Sequence, residues 1–311
     1  MLTILTSDDD ATSDFFCEFL DAEKADYNRL NVNTLVSSNS IMINNNTTDY
    51  TIGTNRHKLY NNGIVWYRRP SPPKLARFNS DEREFLYREW LEIIDAISLC
   101  LCDSIWINWP YNNSLADNKI YQMRIADKCG FNVPLWILTN SYSDIYEFVM
   151  LHQSLVKPLS YGSFGLDESM AIYSTILNPT DIEENKVSHT PVLFQKVIHK
   201  AYDVRVTVFG DKVFAHKICP KDNFKKHIDW RAYEPNRLIM SDINIPESVE
   251  VSIMKLMLHF KLRFSAIDFS VTEKNIWYFL DLNPNGQWGW LEIACNTPMR
   301  RSFYDHILSL S

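Results

Sequence analysis

The sequence predicts a chain of mixed α/β (α+β) class built as three packed lobes. Three observations lead there. The chain has 311 residues, more than one simple core usually holds. Its first third alternates short apolar runs with amphipathic stretches, the pattern of strands and helices. Its last third is a run of hairpins around one amphipathic helix. The expected boundaries are residues 1–111, 112–198 and 199–311.

The first lobe opens with Leu2 to Leu5, a buried strand candidate. Asp14 to Ala25 places Phe15, Phe16, Phe19 and Leu20 on one helical face. A polar stretch, Ser37 to Asn62, suits short strands and turns. Ile64-Val65-Trp66-Tyr67 is a strand running into Arg68-Arg69-Pro70. Ser80-Asp81-Glu82 opens a long helix to about Cys100, and Ile105-Trp106-Ile107-Asn108 closes the lobe as a strand. In the second lobe Asp117 is the expected cap of a helix carrying Ile120, Met123, Ala126 and Cys129, which Gly130 stops. Trp136 to Thr139 is a strand, and Ser143 opens a helix. Leu155 to Leu159 is a strand leading into the glycine-bearing loop Ser160-Tyr161-Gly162-Ser163-Phe164-Gly165, and Val192 to Ile198 is another strand. In the third lobe Gly210-Asp211 joins two strands, and Pro246 to Phe260 is a helix with Val249, Ile253, Leu256 and Phe260 on its stripe. Two strands follow, then a loop from Asn285 to Trp290 and a terminal helix.

Composition excludes several classes. Lys and Arg number 31 against 38 Asp and Glu, a net charge of −7, which argues against non-specific nucleic-acid binding. The aromatics argue against disorder. No apolar run is long enough to span a bilayer, and the N-terminus lacks the basic and apolar regions of a signal peptide. Cys17, Cys100, Cys102, Cys129, Cys219 and Cys295 form no C-x-x-C pair, so reduced thiols in a cytoplasmic protein are expected.

The chemistry is densest near the C-terminus. Ser265 to Thr272 and Ile276 to Asn283 read as paired strands around a Glu273-Lys274-Asn275 turn. If Thr272 faces Trp277, Asp268 lies directly opposite Asp281, about 5 Å away on one face. Two carboxylates so close call for a cation, and Asn283, two residues on, projects from the same face. Asp268, Asp281 and Asn283 are hard oxygen donors suited to Mg²⁺ and nucleotide phosphates. Upstream, Lys157 precedes the glycine loop, whose small residues admit phosphate oxygens to backbone N–H groups. Gln195-Lys196-Val197-Ile198 is a strand edge that can offer backbone groups to a purine. Asp203 and Arg205 share one face of a strand.

The order Lys119, Lys157 with its loop, Gln195 to Ile198, Asp203-x-Arg205, Asp268, Asp281-x-Asn283 resembles that of ATP-grasp enzymes along essentially the whole chain. Trp66-Tyr67-Arg68-Arg69-Pro70, Phe131-Asn132-Val133-Pro134 with Leu138-Thr139-Asn140, Asp229-Trp230-Arg231 and Asn283-Pro284-Asn285-Gly286-Gln287-Trp288 look like the motifs of microviridin-type (graspetide) macrocyclising ligases, relatives of glutamate ligases that modify a ribosomal protein. Asp281 departs from the usual Glu, and Lys196 or Gln195 stands where the hinge often carries Glu. The resemblance implies ATP and Mg²⁺ as cofactors. It implies Lys119, Lys157 and Ser163 at the phosphates, Gln195 to Ile198 at the adenine and Asp203 at the ribose. Asp268, Asp281 and Asn283 would hold the metal, and Arg205, Lys217 and Arg231 would act as catalytic or substrate contacts. It implies a precursor peptide with leader and core as partner, and a homodimer. The alternative activity is a ligase that adds a free amino acid to a small molecule or a protein C-terminus.

Overall fold

Every residue of Leu2–Thr6 is buried because this strand is interior to a four-stranded parallel sheet. The sheet runs in the order Tyr27–Asn31, Leu2–Thr6, Ile64–Tyr67, Ile105–Ile107. Parallel strands covered on both faces bury every residue, and here Thr3 and Thr6 are buried along with Leu2, Ile4 and Leu5. The helix Ala11–Ala22 covers one face with Phe16, Cys17 and Leu20. The polar stretch folds into a three-stranded antiparallel sheet, Ser40–Ile43, Thr48–Ile52 and Asn55–Leu59. The computed structural model describes residues 1–45, 47–159, 163–164, 170–171, 174–184, 189–221 and 229–310.

The helix expected from Ser80 to Cys100 has those bounds, but three helices are capped by other residues than expected. Asn79 caps the helix Ser80–Cys100 and forms a capping box with Glu82. Asn118 replaces Asp117 as cap of Lys119–Cys129, its side chain accepting from Tyr121 N–H. Ser141 caps Tyr142–Leu151, where Ser143 was expected to open it. In each case the residue whose side chain meets the free N–H groups of the first turn sets the start. Gly130 ends its helix in the left-handed region, φ 100°, as the sequence indicates.

The middle of the chain builds an antiparallel sheet in the order Thr175–Leu177, Ser154–Lys157, Val192–Lys196, Trp136–Thr139. The last third builds a five-stranded antiparallel sheet, Leu238–Asp242, Lys212–Pro220, Tyr202–Phe209, Phe264–Val271, Trp277–Asn283. Its two faces carry two cores. Val204, Val206, Ile267 and Phe269 meet Ile253, Leu256 and Phe260 of the helix Glu247–Phe260. Phe209 and Phe264, from the other face, meet Trp288, Phe303 and the first-lobe residues Ile4, Phe16 and Trp66. The expected loop from Asn285 to Trp290 is shorter than the sequence suggests. A helix, Gly289–Cys295, begins inside it and precedes the terminal helix Met299–Ser309.

The pairing of the last two strands differs from the expected one at its open end. Trp277 faces Val271, not Thr272. The ladder shifts between Phe269, opposite Phe279, and Asp268, opposite Asp281, so Leu280 is an extra residue, a β-bulge. The bulge is what lets one strand serve two purposes. Trp277 and Phe279 enter the core with Phe269, and strict alternation would send Asp281 in after them. The extra residue changes the phase and turns Asp281 to the opposite face.

Candidate active site

Cross-strand partners share a face. One row across the sheet therefore reads Asp281, Asp268, Arg205, His216, Asp242. Arg205 Nη1 donates to Asp268 Oδ2 at 2.7 Å. Asp268 Oδ1 is buried with no hydrogen-bond partner. Burial drives the Asp281 carboxyl above the usual carboxylate range, and the Asp268 charge adds to this. Lys119, Lys157 and Arg231 pull it back. The pair is thus poised for a divalent cation, whose charge would remove the repulsion.

Asp268 and Asp281 line a cavity of about 720 Å³, within the range of small-molecule sites. Lys119, Lys157, Gln195, Lys196, Val197, Ile198, Asp203 and Arg231 also line it, so ten of the expected site residues share one cavity. Lys119 donates to the Pro158 carbonyl, which ties it to the segment after Lys157. Burial lowers the pKa of both lysines, that of Lys157 to about 8, while Asp281 opposes the shift. Asp203 is buried, paired with Lys200 and accepting from Ser270 Oγ at 2.8 Å. Its partner is not Arg205. Arg231 grips Asp229 with two hydrogen bonds of 2.9 and 2.6 Å. Lys196 and Val197 commit their N–H groups to the carbonyls of Leu135 and Gln153.

Lys217 sits elsewhere, whereas Asn283 stays on the sheet face of Asp268 and Asp281. Lys217 faces Val204 in the ladder, so it lies on the sheet face away from Asp268, with its ammonium 4.4 Å from the centre of the Tyr202 ring. The side chain on the site face at that level is His216. Asn283 faces Ala266, and its Oδ1 accepts from Asn285 N–H at 2.9 Å. It shapes the turn, and Asn285 lines the cavity. Ser163 belongs to a short strand, Ser163–Phe164, of which only the backbone is described. The loop residues 160–162 and 165 lie outside the described residues.

Several residues that hold the site were not singled out for it by the sequence. Gln122 is buried in its helix, and its Oε1 accepts from Leu282 N–H at 2.6 Å. It docks the helix that begins at Lys119 beside Asp281. Asn108 accepts from Arg263 and Phe264 N–H and donates to the carbonyls of Phe264 and Pro284. Arg68 is fully buried, 3.2 Å from Asp10, and donates to the Asn285 carbonyl. The signal for each was a polar residue in an apolar setting. Gly286 is required by close approach, because a Cβ there would lie 2.6 Å from Arg205 Nη2 and against Ala266 Cβ.

No protein-family model matches the chain, and no curated protein matches it. Solved structures do. The macrocyclase MdnC of Microcystis aeruginosa, bound to precursor peptide MdnA, superposes with a TM-score of 0.86 over 99% of both chains at 21% identity. The RiPP-associated ATP-grasp ligase of Chryseobacterium gregarium, with ADP and a leader and core peptide, gives 0.88 over 100% of this chain and 97% of its own at 22% identity. The ATP-grasp ligase PsnB, with minimal precursor, Mg and ADP, gives 0.78 over 99% and 97% at 17% identity. This is the ATP-grasp fold. The likeness spans both chains, so the parallel sheet near the N-terminus belongs to the match as fully as the antiparallel sheets do. The ATP-grasp fold lays the site out with the lysines Lys119 and Lys157 and the strand edge Gln195 to Ile198 on its central part. The carboxylates and Arg205 lie on its last sheet. The donors at Asp268 and Asp281 are all oxygen, which fits Mg²⁺. Two half-buried cations beside an edge that ends in Val197 and Ile198 fit a nucleotide. No helix among the described residues is long and apolar enough to cross a membrane.

Proposed function

We propose that the protein is an ATP-dependent carboxylate ligase that closes macrocycles in a ribosomally made precursor peptide. The reading is carried by Asp268 and Asp281, which share one cavity with Lys119 and Lys157 and are backed by Arg205, in an ATP-grasp chain matched end to end by a macrocyclase and a RiPP-associated ligase, each bound to peptide. The proposed parts are 1–111, 112–198 and 199–311.

Lys119 and Lys157 hold nucleotide phosphates, Gln195 to Ile198 the adenine, and Asp203 the ribose. Asp268, Asp281 and Asn283 hold Mg²⁺, with Asp281 one methylene shorter than Glu. When bound, Mg²⁺ neutralises charge on the phosphates. An Asp or Glu side chain of the peptide attacks the γ-phosphorus of ATP, ADP leaves, and an acyl phosphate forms. A Ser or Thr hydroxyl, or a Lys amine, attacks the acyl carbon, inorganic phosphate leaves, and an ester or amide closes the ring. The chain's contribution is positioning and charge. Arg205, braced by Asp268, meets charge on the transferring phosphoryl group, and Arg231 is a second such contact. Lys217 has no place in this scheme. Leader binding raises the local concentration of the core. A cytoplasmic setting agrees with six unbridged cysteines, and a homodimer is the proposed assembly.

The test is incubation with ATP, Mg²⁺ and the short peptide encoded beside the gene, read by mass spectrometry. Loss of one water per ring is expected. A gain of one amino-acid residue on an acceptor would replace macrocyclisation with the alternative ligase activity.

A further inference from the structure

Arg68 and Arg69 are consecutive, yet they do different things. Arg68 is spent inside the protein on Asp10 and the Asn285 carbonyl. Arg69 lines the cavity. Its backbone is left-handed, φ 48°, at a non-glycine residue directly before Pro70. Both features are unfavourable. They persist because Ser7 holds the turn: its hydroxyl donates to the Arg69 carbonyl at 3.1 Å and accepts from Ser71 N–H at 2.9 Å. Among the described residues no carboxylate pairs with Arg69, and its Nε is buried without a hydrogen-bond partner. The other arginine lining the cavity, Arg231, is occupied by Asp229, and Lys200 by Asp203.

A half-buried guanidinium whose Nε lacks a partner gains from an anion, so a strained turn that presents one to a ligand cavity points to an anion in the ligand. The phosphates already have Lys119 and Lys157, on other elements, beside the Asp268 and Asp281 pair. Arg69 instead comes from the first lobe, on the segment Tyr67 to Ser71, which lines the cavity with it. A planar fork of donors matches a carboxylate in a bidentate way, as a lysine cannot. We propose that Arg69 binds the carboxylate of the acidic peptide side chain before its activation, and so selects Asp or Glu over Asn or Gln. This rests on the ligase reading above and names the residue that recognises the acid.

The experiment measures ADP formation by the whole protein with ATP and Mg²⁺, titrated with N-acetyl-glutamate N-methylamide or its glutamine counterpart. The wild type should respond to the glutamate probe alone. Arg69→Gln should raise the half-saturating glutamate concentration at least about tenfold, the scale of a charge-assisted hydrogen bond. Its ADP affinity by calorimetry should stay at the wild-type value. Arg69→Lys should fall between the two, and it serves as the test if Arg69→Gln gives no cooperative melt. An unchanged half-saturation, or an equal loss of ADP affinity, overturns the assignment, the second in favour of a phosphate contact. No response to glutamate in the wild type overturns the ligase reading, and Arg69 as acid receptor with it.

Discussion

Lys157 illustrates how burial and function meet at one residue. Burial lowers its pKa to about 8, so the free protein gives up this charge just above neutrality. Nucleotide phosphates would favour the charged form and raise the pKa on binding. A pKa higher in the bound state makes binding strongest below the free value and weaker as pH rises through it. Calorimetric ADP affinity should therefore be flat up to about pH 8 and fall above it, and Lys157→Met should be weaker and lack that fall. Affinity that rises with pH would contradict the assignment. At this scale most of the site was legible. Asp268, Asp281 and Lys157 stand out because charges next to apolar strands need a reason, whereas Lys119 is singled out only by the family resemblance. Lys217 was misplaced because the spacing along a strand does not say which neighbour it faces. Only the observed register with Val204 puts it on the far side. Arg68, Asn108 and Gln122 were missed as supports because each acts on a backbone more than 150 positions away.

Among the elements, the strand Trp277–Asn283 and the turn after it decide the site. The bulge at Leu280 puts Phe279 in the core and Asp281 in the cavity. The sequence does not mark it, because Ile276-Trp277-Tyr278-Phe279-Leu280 is an unbroken apolar run with no alternation for an extra residue to interrupt. The opposition of the two aspartates was nonetheless expected, from a starting pair one residue out of step. The turn depends on Gly286. Gly286→Ala would press a methyl group on Arg205 and Ala266. A cost of about 1–3 kcal/mol is expected from overpacking, with a loss of ATP turnover larger than the loss of stability because Arg205 is displaced. Chemical denaturation and steady-state ADP formation on the same variant check both. Turnover at the wild-type level would show that the turn does not position Arg205.

For the whole molecule, the first lobe is wired to the site. The buried Arg68 and Asp10 pair fastens the segment after Ile64–Tyr67 to the Asn285 carbonyl, and Asn108 fastens the end of Ile105–Ile107 to Phe264 and Pro284. Removing one partner of a buried ion pair leaves the other charged and unpaired, at about 3–5 kcal/mol. Arg68→Ala should lose about that much in urea unfolding, and at sub-denaturing urea its ADP affinity should weaken as the turn loosens. A change within experimental error would mean that the Arg68 contacts do not couple the first lobe to the site. The mixed α/β class was legible because strands and helices carry different periodicities. The joins between parts were not, since they consist of single polar side chains whose partners lie in another part of the chain.

ATP-driven activation of a carboxylate at the proposed Asp268 and Asp281 metal pair would leave an acyl phosphate, which hydroxylamine traps. The protein is incubated with ATP, Mg²⁺, hydroxylamine and a glutamate-containing peptide, and hydroxamate and ADP are counted together. Hydroxamate equal to ADP is expected for the wild type, with a loss of at least about a hundredfold in both for Asp281→Ala, given what removing one charge-stabilising group costs such a reaction. ADP formation that survives Asp281→Ala undiminished, or ADP without hydroxamate in the wild type, would contradict such activation.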